Sequence, residues 1–276
     1  MKKTLSVFAL LLTCILTLVS CGGNRENLIV VGTMAQPGEP ILESIRDALK
    51  KEGFDLKVQL YSDFNAPNQA LAEGSIDANL FQHEPFLNTY NAANGTDLYC
   101  AAVLYDCVYG GYSKKNITSL DQIPEGSKIT IANDSSNMAR CLKILDASGL
   151  ITLVDELPAT LNATDVMTYI ASNPKNLKIT PVATNMIAAS LNDEDTYLGL
   201  VNATFAIAAG LTSEQLLCKE QDPEHVNANI LACRTLDKDS AKIKALVKVL
   251  TTDETKAFIN NQFKGTIIPY FVDLVK

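Results

Sequence analysis

From Leu28 onward, short runs of β-branched and aromatic residues alternate with stretches whose apolar positions recur at helical spacing. Leu28 to Thr33 reads as a strand, Ile41 to Glu52 as an amphipathic helix closed by Gly53, and Leu56 to Tyr61 as the next strand. Ile76 to Phe81 and Tyr99 to Tyr105 continue as extended runs around a helix from Glu84 to Ala93, with Pro85 at a first-turn position. A second series follows the polar, turn-rich punctuation after Tyr112. Lys128 to Ala132 is a strand, Asn137 to Ser148 a helix stopped by Gly149, and Leu177 to Val182 and Tyr197 to Asn202 are strands. Asn229 to Cys233 reads as one more strand, followed by helices over Ser240 to Leu250 and Asp253 to Phe263 with little strand between them. The alternation predicts α/β architecture with mostly parallel sheets covered by helices. Two such series predict two lobes: residues 28–111 with 230–276, and residues 112–229. The cleft between them is the natural place for a small ligand.

The N-terminus follows a different pattern. Lys2 and Lys3 precede an apolar run from Leu5 to Val19, and the run ends at Leu18-Val19-Ser20-Cys21. A charged start, a short apolar stretch and small residues before a cut describe an export signal over residues 1–20. A bilayer span needs roughly 20 apolar residues, and this run is shorter and contains Ser6, Thr13 and Thr17. Cys21 at the cut supplies the thiol that takes a lipid, and residues 21–27 read as a polar tether. The expected product is a lipid-anchored body on the exported face of a membrane, periplasmic or extracellular.

Charge changes the list of partners. Loss of the two signal lysines takes the formal charge from −8 to −10, which argues against nucleic acid. After Cys14 and Cys21 are set aside, Cys100, Cys107, Cys141, Cys218 and Cys233 remain, an odd number for an export compartment. Most read as small buried apolar residues, although Cys100 and Cys107 are close enough in sequence to close a short loop. No C-x-x-C pair occurs and the two histidines stand apart, so neither a metal site nor a cofactor is expected.

Material for catalysis is sparse, since there is no G-x-S-x-G, H-E-x-x-H, Walker or dinucleotide motif. His225 lies in a polar stretch and reads as an exposed loop residue. His83 stands where a strand passes into a helix, a position that points side chains into ligand crevices. It is the one candidate base for an exported hydrolase. Asn133 through Arg140 reads as a strand end, a helix capped by Ser135 or Ser136, and an arginine one turn in, an arrangement suited to a carboxylate. Asn202 and Asn229 lie at the ends of apolar strands and carry both donor and acceptor, as a zwitterion requires.

Six segments occur in the order seen in one family: Phe81-Gln82-His83-Glu84-Pro85-Phe86-Leu87, Gly111-Tyr112-Ser113-Lys114-Lys115, Asn133-Asp134 through Arg140, Asn173-Pro174-Lys175-Asn176-Leu177-Lys178-Ile179, Val201-Asn202-Ala203-Thr204 and Phe263-Lys264-Gly265. Over essentially the whole mature chain the sequence resembles the NlpA-type methionine-binding lipoproteins. The resemblance implies a monomeric, two-lobed, type II periplasmic-binding-protein-like fold. It also implies a non-catalytic role, handing L-methionine to the permease and ATPase of an ABC importer. By position, Arg140 resembles the arginine holding the ligand carboxylate, and Asn202 and Asn229 the asparagines around the head group. Asn227 competes for the last place, and Arg234 favours Asn229. Phe64, Phe81, His83 and Tyr109 resemble the wall around the thioether, with Phe64 where the family often has Tyr. The same fold holding D-methionine, a methionine-containing dipeptide or another small amino acid is the nearest alternative. The hydrolase using His83 is the alternative from another class, and a surface adhesin or inhibitor ranks last.

Overall fold

The computed structural model describes residues 26–275. The expected signal segment and Cys21 lie outside the described residues, as does the expected tether apart from Glu26 and Asn27. Among the described residues thirteen strands form two main sheets and a small two-stranded one. The first sheet holds β1 (Leu28–Met34), β2 (Asp55–Tyr61), β3 (Ala78–His83), β4 (Leu98–Cys107), β12 (Asn229–Arg234) and β13 (Ile267–Asp273), in the order β13-β4-β12-β3-β1-β2. The second holds β5 (Tyr109–Tyr112), β6 (Lys128–Ala132), β9 (Lys178–Val182), β10 (Thr196–Asn202) and β11 (Leu216–Lys219), in the order β11-β5-β10-β6-β9. The small sheet pairs β7 (Thr152–Leu153) with β8 (Ile170–Ser172).

Nine helices cover these sheets among the described residues: α1 (Gly38–Ser44), α2 (Arg46–Lys51), α3 (Ala66–Ala72), α4 (Glu84–Asn94), α5 (Ser135–Ala147), α6 (Ile187–Ser190), α7 (Ala203–Ala208), α8 (Ala241–Leu250) and α9 (Asp253–Phe263). The helix expected over Ile41 to Glu52 begins earlier and breaks at Ile45. There Ser44 donates its hydroxyl to the Ile41 carbonyl (2.7 Å), a side-chain bond that competes with the helical ladder.

The expectation of mostly parallel sheets holds for only part of each. In the first sheet β1 runs parallel to β2 and β3, but β12 is antiparallel to both β3 and β4, and β13 is antiparallel to β4. In the second sheet β6 is parallel to β9 and β10, while β5 is antiparallel to β10 and β11. For β5 and β12 the reversal comes from the chain crossing between sheets, so that a strand arriving from the other sheet enters from the opposite end.

Sheet membership also moves the expected division at 111/112. β5 belongs wholly to the second sheet, and the first crossing falls at Val108. The return crossing runs through residues 220–228. The Gly110-Gly111 pair explains why β5 sits where it does. A Cβ on Gly111 would lie 2.6 Å from Cys218 Sγ, and one on Gly110 would lie 2.3 Å from a Leu216 methyl, so only glycine allows β11 so close.

Two cores result. One packs Ile29, Val31, Leu80, Leu104, Leu231, Leu246 and Leu250 around the first sheet. The other packs Ile129, Ile131, Met138, Leu142, Leu198 and Leu200 around the second. Every residue of β3 is buried, as expected for a strand flanked on both edges and covered on both faces. No described helix is long and apolar enough to cross a membrane.

Candidate functional site

The site is assembled from strand ends. His83 ends β3, Cys107 ends β4, Asn202 ends β10, and Asn229 opens the antiparallel β12 in register with both His83 and Tyr105. Side chains at such ends project into the crevice beyond the sheet. Phe81 and His83, two apart on β3, share one face.

His83 is both a helix cap and a wall of the site. Its Nδ1 accepts from the Phe86 backbone N–H (3.1 Å) at the start of α4. The proton is therefore on Nε2, which donates to Asn137 Oδ1 (3.1 Å) on α5, across the cleft. Burial, aided by the nearby positive charge of Arg140 and opposed by the Asn137 bond, lowers the His83 pKa to about 3. At neutral pH this imidazole is uncharged and a poor base.

Aromatic rings fill the adjoining space. Phe64 lies 5.6 Å from Phe81, 6.0 Å from Phe86 and 5.0 Å from Phe205 between ring centroids, and Phe86 meets His83 edge-on at 6.2 Å. Phe205, on α7, extends the wall from the second sheet. Phe64, Phe81, Gln82, His83, Phe86, Asn137, Asn202 and Asn229 enclose a cavity of about 10 Å³. Behind β3 a buried amide network holds the wall in place. Asn68 and Gln82 exchange bonds, with Asn68 Nδ2 on Gln82 Oε1 (2.7 Å) and Gln82 Nε2 on Asn68 Oδ1 (2.6 Å), and Asn79 joins both. The network ties α3, just after Phe64, to the strand carrying Phe81 and His83.

The two asparagines present opposite faces. Asn202 Oδ1 caps α7 by accepting from Thr204 N–H (2.9 Å) and also accepts from the Cys107 thiol (3.2 Å). Its Nδ2 has no protein partner among the described residues. Asn229 Nδ2 donates to the Tyr105 hydroxyl (3.4 Å), and the residue lines the cavity with its Oδ1 free of a protein partner among the described residues.

Arg140 stands one turn beyond Asn137 and is only 4% exposed. Its Nε (2.9 Å) and Nη2 donate to the two carboxylate oxygens of Glu220, Nη2 also reaches the Cys107 carbonyl (3.4 Å), and Nη1 is buried without a partner. The guanidinium stacks over Tyr109 at 4.9 Å. Arg140 and Asn227 also line a larger, open cleft of about 640 Å³ beside α5.

The structure thus brings Phe64, Phe81, His83, Asn202 and Asn229 around one cavity and sets Arg140 next to it. Tyr109 does not join the aromatic wall. It lies beneath Arg140 in the second core, its hydroxyl buried without a partner, because β5 belongs to the second sheet. Asn227 bonds Glu220 (3.1 Å) and lines the larger cleft, so Asn229 is the asparagine at the cavity.

The expected cap is also different. Asp134, not Ser135 or Ser136, accepts from Asn137 N–H (3.0 Å), so a carboxylate already occupies the positive end of α5. Phe86, Asn137 and Phe205 complete the wall without having been singled out, although all three fall within or beside the segments that carry the family resemblance.

Among the other candidates, His225 is half-buried. It bonds Asp106 (2.7 Å) and stacks on Tyr270 at 3.9 Å, which joins the return crossing to β4 and β13 instead of leaving an exposed loop. All five described cysteines are free. Cys100 and Cys107 are the third and last residues of one extended strand, too far apart to bridge at about 3.3 Å per residue. No group of three metal-ligating side chains occurs among the described residues.

The sequence profile of the NlpA lipoprotein family matches residues 29–271. The chain is 35% identical to the methionine-binding lipoprotein MetQ of Bacillus subtilis (strain 168), covering 97% of this chain and 98% of that one. It is 34% identical to the D-methionine-binding lipoprotein MetQ of Escherichia coli (strain K12), covering 91% and 92%. Among solved structures it is similar to a nutrient binding protein from Burkholderia cenocepacia bound to methionine, with a TM-score of 0.81, 35% identity, and coverage of 88% of this chain and all of that one. Two α/β lobes built on separate sheets, with these relatives, are the type II periplasmic-binding fold, and the chain belongs to the NlpA lipoprotein family.

Proposed function

We propose that this protein is a lipid-anchored receptor that captures L-methionine between its lobes and delivers it to the permease and ATPase of an ABC importer. The observation that carries the reading is the pairing of a dry aromatic wall with unsatisfied polar groups at one end. The rings of Phe64, Phe81, Phe86 and Phe205 suit a flexible apolar chain with a polarizable sulfur. Arg140 Nη1 and Asn202 Nδ2 are the donors for a carboxylate, and Asn229 Oδ1 is an acceptor for an ammonium. A zwitterion taken out of water needs both.

The 10 Å³ cavity is too small for any amino acid, so the lobes part to admit the ligand and close upon it. Residues 28–107 with 229–275 and residues 109–219 are the moving bodies, hinged at Val108 and at 220–228. Attachment through Cys21 holds the receptor on the exported face of the membrane, beside its importer. The hydrolase reading has little support, because His83 has both ring nitrogens committed and a depressed pKa.

The test is calorimetric titration of the soluble body, residues 22–276, after unfolding and refolding to strip carried ligand. L-methionine is compared with D-methionine, leucine, glutamine and glycyl-methionine. Binding of L-methionine that is lost in Arg140→Ala is expected. Preferential binding of D-methionine or the dipeptide would replace the ligand within the same site, and no heat from any of the five would overturn the assignment.

A further inference from the structure

Cys107 touches both polar elements of the site without itself lining the aromatic cavity. Its thiol donates to Asn202 Oδ1 (3.2 Å) and lies 3.7 Å from Thr204 Oγ1, while its carbonyl accepts from Arg140 Nη2 (3.4 Å). It is the last residue of the first sheet before the crossing at Val108, whereas Asn202 and Arg140 belong to the second lobe. The amide of Asn202 has two possible orientations, and only one puts Nδ2 where a carboxylate can use it. The Thr204 N–H requires an acceptor and the thiol adds a second, weaker donor on the same oxygen, so both hold Oδ1 toward them and leave Nδ2 for the ligand.

We infer that Cys107 is a positioning residue for carboxylate recognition, setting the orientation of Asn202 through its thiol and steadying Arg140 through its carbonyl. The inference rests on the methionine-receptor reading and adds the residue that orients the head-group contacts. Burial pushes the Cys107 thiol up, so it stays protonated and remains a donor at neutral pH. The other described cysteines make no contact with Asn202 or Arg140 that would give them this role. A thiol supplies a weak donor on a compact apolar side chain, so it directs the amide at little desolvation cost.

The test measures the affinities of the stripped protein for L-methionine and for L-methioninol, which keeps the ammonium and thioether but lacks the carboxylate. The proteins compared are wild type, Cys107→Ala, Cys107→Ser, Asn202→Ala and the Cys107→Ala/Asn202→Ala double variant, with thermal unfolding of each ligand-free protein. Loss of one hydrogen bond predicts that Cys107→Ala weakens L-methionine about three- to tenfold. L-methioninol should change less than about twofold, Cys107→Ser should return to within about threefold of wild type, and Cys107→Ala should add nothing in the Asn202→Ala background.

Unchanged L-methionine affinity in Cys107→Ala overturns the inference. So does equal weakening for both ligands, or additivity in the double variant, since either shows a general packing effect. If wild type binds neither ligand, the receptor reading itself fails, an outcome read from the wild-type arm alone.

Discussion

The aromatic half of the cleft and the polar half are built on opposite principles. Around Phe64 the rings satisfy one another, and the amides of Asn68, Asn79 and Gln82 behind them close on themselves. Around Arg140 the pairing is incomplete, with the arginine Nη1 and the Tyr109 hydroxyl both buried and without partners. A closed apolar wall discriminates weakly among ligands of similar volume. An unsatisfied buried donor rejects any ligand that does not answer it, because the desolvation has already been incurred. The contrast assigns side-chain tolerance to the first half and head-group stringency to the second, and substitutions can separate the two.

The largest effect is expected at Arg140. Arg140→Ala removes the proposed carboxylate donor and leaves Glu220 half-buried without its bidentate partner. Breaking such a pair costs about 3–5 kcal/mol, so both L-methionine affinity and urea stability should fall steeply. The companion Arg140→Ala/Glu220→Gln removes the orphaned charge. It should recover stability but not binding, and recovery of both would show that the guanidinium is structural.

Next is the pH response at the boundary between the halves. His83 has a folded pKa of about 3 against 6.5 for a free imidazole, so between these values the unfolded chain binds more protons than the native one. Stability contributed by keeping His83 neutral is complete above pH 6.5 and is lost progressively as pH falls toward 3. The fall from pH 6.5 to 5 should amount to about 2 kcal/mol in urea unfolding. His83→Asn should flatten that part of the profile, and an unchanged slope would place the acid sensitivity elsewhere.

Much of this contrast is legible in the residues. Strands with clean apolar runs, such as β1, β6 and β10, and the helix stopped by Gly149 follow from periodicity and capping alone. β5 and β11 do not, because Tyr-Gly-Gly-Tyr has neither the branching nor the alternation of a strand, and its glycines answer to packing against Leu216 and Cys218. β13 is also hidden, because Pro269 interrupts it. Within the candidate site, His83, Asn202 and Asn229 stand at strand ends that the pattern locates, whereas Phe64 and Phe81 enter only through the family resemblance. The Arg140–Glu220 pair is not legible, since 80 residues separate the partners and no local rule links them. The place of Tyr109 is hidden for the same reason, because it depends on which sheet β5 joins.

The aromatic half should respond more gently. Phe64→Ala removes the ring that meets Phe81, Phe86 and Phe205, and aromatic pairs contribute about 0.5–1.5 kcal/mol beyond area. L-methionine affinity should drop about tenfold while leucine and methionine move together, which is the signature of a tolerant wall. Phe64→Tyr should alter binding by less than about threefold, since a hydroxyl adds no apolar contact. If Phe64→Ala instead changed the preference between L- and D-methionine, the wall would be reading stereochemistry, and the division of labour would have to be redrawn.

The smallest effect lies where the halves meet at the mouth. Asn185 Nδ2 donates to the Ser62 carbonyl (3.2 Å), joining the segment before α6 to the loop that carries Phe64. Both groups are near solvent, so the bond contributes about 0.5–1 kcal/mol at most, and only when the lobes are together. Asn185→Ala should therefore leave the unfolding of the ligand-free protein almost unchanged, because water replaces the lost partner. It should raise the methionine dissociation rate about two- to fivefold with little change in association, since association begins from parted lobes in which the bond does not exist. A matching fall in the association rate would mean that the contact forms before the ligand arrives. The mouth would then be part of the resting wall, and neither half of the cleft would need the other to move.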